Sequence, residues 1–122
     1  MRPILLAILA ATSCSSAWAT ERREAIDALI AESAARADVP VSLVKNVVQR
    51  ESRYDPAAVH AGCYGLMQIT YRTARRMGYG GKPDGLLDPA INLRFAVPYL
   101  ARAYRLAKGN EARTMRLYRA GF

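Results

Sequence analysis

The spacing of apolar residues in this chain predicts an all-α fold, and two further observations agree with it. Val44, Val47, Val48 and Glu51 fall at i, i+3, i+4 and i+7, one face of a helix. Helix stop and start signals punctuate the chain at Pro40, Pro56, Gly78, Asp88-Pro89 and Gly109-Asn110. Alternating β-branched segments, the mark of half-buried strands, are nearly absent.

The first 19 residues stand apart. Met1-Arg2-Pro3 is a short basic start, Ile4 to Ala11 is a continuous apolar run, and Ala17-Trp18-Ala19 is a small-x-small cleavage signal. That layout predicts a secretory signal peptide over 1–19, a domain over 20–122 beginning at Thr20, and a periplasmic or secreted protein. The apolar run is less than half of the about 20 residues a membrane span needs, so no transmembrane span is expected in the mature chain. A second route is lipid attachment at Cys14, within Ala11-Thr12-Ser13-Cys14, although the usual lipobox carries Leu where Ala11 stands.

Ile26, Leu29, Ile30 and Ser33 or Ala34 keep helical spacing and predict a helix over 21–37. Asp38-Val39-Pro40 breaks it, and Pro40 is expected to open the next helix as its first residue. That second helix should end at Arg53-Tyr54-Asp55-Pro56, because the residue before proline resists the helical region. Residues 57–69 hold Gly62 and Gly65 and read as an irregular, close-packed stretch. Thr70 is expected to cap a helix to about Met77, stopped by Gly78, with a glycine-rich loop from Tyr79 to Leu87. Asp88-Pro89 opens a helix toward Lys108 and Gly109, which Pro98 should kink or split. Asn110 caps a last helix running to about Arg119.

At 122 residues, 52 % hydrophobic and 23 % charged, the chain has the composition of one compact core-forming domain. Its net charge is +8, and cleavage after Ala19 leaves 17 basic against 10 acidic residues, or +7. Such a balance favours a polyanionic partner: nucleic acid, an anionic envelope surface or an acidic wall polymer. Export argues against nucleic acid. Without the leader, Cys63 is the single cysteine, so the fold has no internal disulfide, and Cys63 itself reads as a small buried residue. His60, the only histidine, lies three residues away, but one Cys and one His make neither an oriented nucleophile pair nor a metal ligand set. Neither a metal nor a cofactor is expected.

Glu51 carries the most chemistry. A carboxylate on the face of Val44, Val47 and Val48 looks toward the core or a cleft, where desolvation favours its neutral form. The negative end of the helix dipole acts in the same sense. Arg50 and Arg53 should leave the helix in other directions. A neutral carboxylic acid near pH 7 is the group that protonates a glycosidic oxygen. From spacing alone, a Glu snorkelling at a helix end beside Arg is an equal alternative.

The surrounding segments decide between them. VKNVVQRESRYDP (44–56), GLMQIT (65–70), Thr73-Ala74, Asp88-Pro89 with Asn92-Leu93, Tyr99-Leu100 and Leu117-Tyr118-Arg119-Ala120-Gly121 follow one another in order. Together, over roughly 25–121, they resemble the lytic transglycosylase domain, the lysozyme-like family that degrades bacterial peptidoglycan. The resemblance implies a lysozyme-like domain with Glu51 as the catalytic acid/base and Ser52 following it. It implies that Gly65, Leu66, Met67 and Gln68 line the glycan cleft, with Met67 and Gln68 on sugar. Tyr118 would lie near the Glu51 carboxyl group, and Asn92 would lead into the helix bearing Tyr99 and Leu100. Two positions depart from the family pattern: Arg119 replaces a neutral Asn, and His60 stands where a serine is common. Arg119 would alter sugar contacts, or lower the pKa of Glu51 if it points inward.

The implied reaction cleaves the β-1,4 bond between N-acetylmuramic acid and N-acetylglucosamine and leaves a 1,6-anhydromuramyl end, in a monomer acting on peptidoglycan strands. A lysozyme-type hydrolase is the near alternative and would need a second carboxylate about 5–10 Å from Glu51. Asp55 is the nearest in sequence, but Asp55-Pro56 reads as helix-ending turn chemistry; Asp84 and Asp88 lie in or beside a loop, and Asp88 reads as a cap. A non-catalytic glycan-binding module of an envelope-spanning machine is the alternative from another class.

Overall fold

The computed structural model describes residues 12–122. The apolar run of the expected leader, Ile4 to Ala11, lies outside the described residues. The first helix, α1, runs Thr12–Ala37 rather than starting near residue 21. Cys14 through Ala25 are all exposed, and burial begins at Ile26. The early turns are therefore carried by local preference: Ala17, Ala19, Glu21, Arg22, Arg23, Glu24 and Ala25 are good helix formers. Past Ile26, Ile30 and Ala34 are buried at helical spacing, and α1 packs on α2 (Val41–Ser52) and α4 (Pro89–Leu106).

Pro40 is the N-cap of α2 rather than its first residue, with an extended backbone (φ −61°, ψ 134°). The one-position difference arises because Asp38 takes a left-handed turn (φ 56°) and Val39 N–H bonds Ala34 C=O at 3.1 Å, closing α1 first. Leu43, Val44, Val47 and Val48 of α2 are all buried, so the apolar stripe read from the sequence is the core face. The helix stops at Ser52 because Arg53 and Tyr54 are both left-handed, at φ 52° and 64°. Two such residues in a row are strained. Tyr54 pins the turn: its hydroxyl donates to Asp27 Oδ1 at 2.9 Å, and the Arg23 guanidinium sits 3.9 Å over its ring.

Residues 57–69 are more ordered than expected. Three two-residue strands, β1 (Val59–His60), β2 (Cys63–Tyr64) and β3 (Ile69–Thr70), form an antiparallel sheet in the order β1-β2-β3. Val59 pairs with Tyr64 and His60 with Cys63; Cys63 then pairs with Thr70 and Tyr64 with Ile69. The first hairpin turns on Ala61 (φ 50°) and Gly62 (φ 76°), the paired positive angles that a two-residue hairpin requires.

Thr70 caps α3 (Tyr71–Arg76) by accepting from Thr73 N–H. Gly78 N–H to Arg75 C=O and Tyr79 N–H to Ala74 C=O close its end as a Schellman motif. The glycine-rich loop holds a 3₁₀ turn, Pro83–Leu87, before Asp88 caps α4 by accepting from Ile91 N–H at 3.1 Å. Helix α4 passes through Pro98 unsplit. The carbonyl that loses its N–H partner to this proline belongs to Arg94, an exposed residue. Asn110 caps α5 (Glu111–Ala120), which packs on α4. The core joins α1, α2, the sheet loop and α4 through Ile30, Val44, Val48, Leu66, Leu93, Val97 and Leu100.

Candidate active site

The C-terminal ends of α2 and α5 meet the sheet across a groove of about 250 Å³. Glu51, next to last in α2, lines it with Cys63, Gln68, Thr73, Tyr99, Tyr118 and Arg119. Glu51 is half-buried, and burial pushes its pKa above the usual carboxylate value; the Arg119 and then the Arg50 charge pull it back partway. Arg50 thus reaches Glu51 electrostatically, although it was expected to turn away. Glu51 is the single carboxylate lining the groove among the described residues. It makes no hydrogen bond with any described residue, so burial and the neighbouring charges set its protonation.

The residues behind Glu51 form a bonded frame. Ser52 is buried, and its hydroxyl donates to Leu66 C=O at 2.7 Å and to Val48 C=O at 3.1 Å, tying the helix end to the 65–68 loop. Tyr118 is buried too; its hydroxyl donates to Met67 C=O at 2.7 Å, across 51 residues of sequence. Burial, then the charge of Glu51, holds that phenol well above its ordinary pKa, so it remains a donor. Asn92 is fully buried in α4. Its Oδ1 accepts from Met67 N–H at 3.0 Å, and its Nδ2 donates to Tyr64 C=O at 2.8 Å and Leu86 C=O at 2.9 Å. All three side chains thus hold backbone of the loop or its flanks.

Gly65 is required for the same reason. It sits at φ 72°, and a Cβ there would run into the Asn92 amide and the Leu86 carbonyl. Leu66 and Met67 are fully buried, so of the four loop residues expected along the cleft only Gln68 faces the groove. Gln68 is left-handed (φ 51°), and its Nε2 donates to Ala58 C=O at 3.0 Å and Gly65 C=O at 2.9 Å. Both amide hydrogens are engaged, which leaves Oε1 as the polar atom available to a ligand.

Tyr99 and Arg119 join the groove, whereas His60 sits exposed on β1 and does not line it. Tyr99 tilts against Tyr118 at 5.5 Å between centroids and stacks on Phe122 at 4.8 Å, making an aromatic wall. Cys63 was read as a buried packing residue, but it lines the groove, where burial and then Glu51 push its thiol pKa up. Its position follows from the β2–β3 pairing with Thr70, which no local sequence signal announces. Thr73 also lines the groove; its place follows from the Thr70 cap that starts α3 above the sheet. No group of three or more His, Cys, Asp or Glu side chains placed to hold a metal occurs among the described residues.

Comparison with known proteins places this arrangement. The model of the transglycosylase SLT domain matches residues 28–122. Membrane-bound lytic murein transglycosylase C of Haemophilus influenzae is 39 % identical over 80 residues, 59 % of this chain and 22 % of that protein. Its counterpart in Actinobacillus pleuropneumoniae is 36 % identical over 81 residues, 60 % of this chain and 22 % of the relative. The chain thus spans about a fifth of the length of the curated relatives it matches. Among solved structures, the 70-kDa soluble lytic transglycosylase in complex with bulgecin A superposes with a TM-score of 0.72 at 27 % identity, over 77 % of this chain and 16 % of that one. The 70-kDa soluble lytic transglycosylase SLT70 of Escherichia coli gives a TM-score of 0.72 at 26 % identity, over 76 % of this chain and 16 % of that one. The helical architecture is accordingly lysozyme-like. From Glu51 at the end of α2 to Tyr118 near the end of α5, the groove lies inside the matched segment, and the chain belongs to the transglycosylase SLT domain family.

Proposed function

We propose that this domain is a peptidoglycan lytic transglycosylase with Glu51 as its acid and base. The carrying observation is a lone, desolvated carboxylate in a groove with an aromatic wall. Glu51 protonates the glycosidic oxygen between N-acetylmuramic acid and N-acetylglucosamine, which its raised pKa favours. The ionised Glu51 then takes the proton from the 6-hydroxyl of the muramic ring as that oxygen attacks the anomeric carbon. An intramolecular hydroxyl has an effective concentration of about 10⁵ M or more when well placed, so water is outcompeted without a second carboxylate. The product is a 1,6-anhydromuramyl end. Tyr99 offers a ring for sugar packing and Gln68 an amide oxygen for a sugar hydroxyl or N–H. Ser52, Leu66, Met67 and Tyr118 act on substrate indirectly, by fixing the loop that presents Gln68.

Mass spectrometry of muropeptides released from purified wall tests the reaction. Anhydro ends are expected; mainly reducing ends would assign a hydrolase, and binding without release a glycan-gripping module.

The export reading has support in the fold. Among the described residues none before Ile26 belongs to the core, so cleavage after Ala19 would remove no described core residue and would keep Arg23 over Tyr54. No helix among the described residues is long and apolar enough to cross a membrane. N-terminal sequencing of the exported protein should find Thr20; lipid on Cys14 would show the lipoprotein route instead. The periplasm is the compartment this reading assigns, with a monomer facing the anionic envelope.

A further inference from the structure

Arg119 is the single cation lining the Glu51 groove among the described residues. It is exposed in the last turn of α5, beside buried Tyr118. Its charge reaches Glu51, yet it makes no hydrogen bond or ion pair with any described residue. A guanidinium presents five N–H donors in a planar fork that matches a carboxylate. Apart from Glu51, the other groove-lining side chains are neutral, and neutral groups suffice for plain N-acetylhexosamine units. An uncommitted fork in such a groove fits something that neutral sugar does not carry.

We infer that Arg119 forms a carboxylate subsite in the groove, which selects glycan bearing a free carboxyl group beside the bond to be cleaved. The inference rests on the glycan-cleaving reading of the same groove and narrows its substrate. Peptidoglycan offers that chemistry in two places. The lactyl ether of muramic acid ends in a carboxylate once its stem peptide has been removed, and in an uncharged amide while the peptide is attached. The stem peptide, when present, carries carboxylates of its own on a flexible chain. The lactyl group is the better match, because it is fixed to the ring whose anomeric carbon reacts. Enzymes that strip stem peptides would then make this domain's preferred substrate.

Binding at this subsite also bears on the acid. A carboxylate on Arg119 offsets the cation that most lowers the pKa of Glu51. Arg50 is the other cation acting on it, while Tyr118 and Cys63, whose own pKa values Glu51 raises, stay uncharged near neutrality. Seating the right substrate thus favours the protonated, proton-donating form of Glu51.

The test compares three probes: amidase-stripped glycan strands, the same strands with peptides, and neutral N-acetylglucosamine oligomers. Titration calorimetry on Glu51→Gln and on Glu51→Gln/Arg119→Asn reads binding without turnover, and steady-state kinetics on wild type and Arg119→Asn read KM against kcat. Glu51→Gln should bind stripped strands about fivefold more tightly than the other probes, a modest ion-pair effect. That margin should vanish with Arg119→Asn, persist in part with Arg119→Lys, and shrink in 1 M salt, where screening falls to about 3 Å. A margin for peptide-bearing strands, removed by the same substitution, would keep the subsite and name the stem carboxylate as its ligand. Equal affinity for all three probes, or a margin that survives Arg119→Asn, overturns the subsite. Cleavage of none of them by wild type, with the margin intact, would instead refute the transglycosylase reading.

Discussion

Two concavities on this molecule invite opposite conclusions. Between α1 and α4 lies a groove of about 630 Å³ with Leu29, Leu93, Pro98 and Ala101 in its lining and Arg36, Arg94, Arg102 and Arg105 around it. The Glu51 groove is less than half that size, at about 250 Å³. Size alone would favour the first. Its one carboxylate, Glu32, is exposed and tied to Arg36 at 2.5 Å along the same helix, so it has neither desolvation nor freedom. Glu51 has both, and behind it stand Ser52, Asn92 and Tyr118, every one hydrogen-bonded to loop backbone. Empty space does not make chemistry; an unpaired acid held against a rigid polar frame does.

The strongest way to break that contrast is Glu51→Gln. Turnover should fall at least about 100-fold to 10,000-fold, the range lost with a general acid, and wild-type release would move the chemistry elsewhere. Stability should go the other way. A folded pKa raised above 4.5 gives full stability below that pH and loses it as pH rises through the folded value. The variant should therefore melt higher than wild type near pH 7 and equally below about pH 4; a lower melting point at neutrality would show that Glu51 is not desolvated.

Asn92→Ala attacks the frame. It strands Met67 N–H and the Tyr64 and Leu86 carbonyls, and should cost about 3 kcal/mol or more in urea unfolding, at 1–3 kcal/mol per buried unpaired group. Tyr118→Phe strands only Met67 C=O, so a loss of about 1 kcal/mol with a moderate fall in turnover is expected. Equal costs in the two variants would show that the frame does not work as bonded. Arg119→Asn should raise the pKa of Glu51 and move the alkaline limb of kcat/KM to higher pH, because the acid must be protonated. Arg102→Ala in the larger groove should leave turnover within about twofold, as surface changes do. A fall approaching that of Glu51→Gln would end the distinction between the two concavities.

Helices were readable because their signals are local. The stripe Val44, Val47, Val48 and the caps Thr70, Asp88 and Asn110 each involve residues within a turn or two. The register of Glu51 on that stripe pointed to the core or a cleft, and the structure half-buries it in a groove, but only the surrounding segments singled it out as a candidate acid. The sheet was not, since two-residue strands are too short to show alternation, and only the positive φ of Ala61 and Gly62 reveals the hairpin. Motif likeness put Met67 beside sugar, whereas its backbone, bonded by Asn92 and Tyr118, is what the groove depends on. Those contacts cross 25 and 51 residues and engage main-chain atoms, which no residue pattern encodes. Pro98 leaves α4 as one helix, so a proline inside an apolar periodic run did not mark a boundary here.

The Gly65–Asn92 contact also limits how this domain evolves. A side chain at 65 collides with the amide that holds Met67. Shortening Asn92 does not release Gly65, because the Leu86 carbonyl and the left-handed backbone still exclude a Cβ. Gly65→Ala should then be damaging in either background, and the two losses should combine non-additively, as expected for residues sharing one contact. Gly65 is therefore expected to persist whatever residue stands at 92. Arg119, exposed at the groove and without a hydrogen bond or ion pair to any described residue, carries no such packing constraint. If Arg119 sets substrate choice as inferred, specificity can diverge at the rim of the groove while the frame behind Glu51 stays fixed.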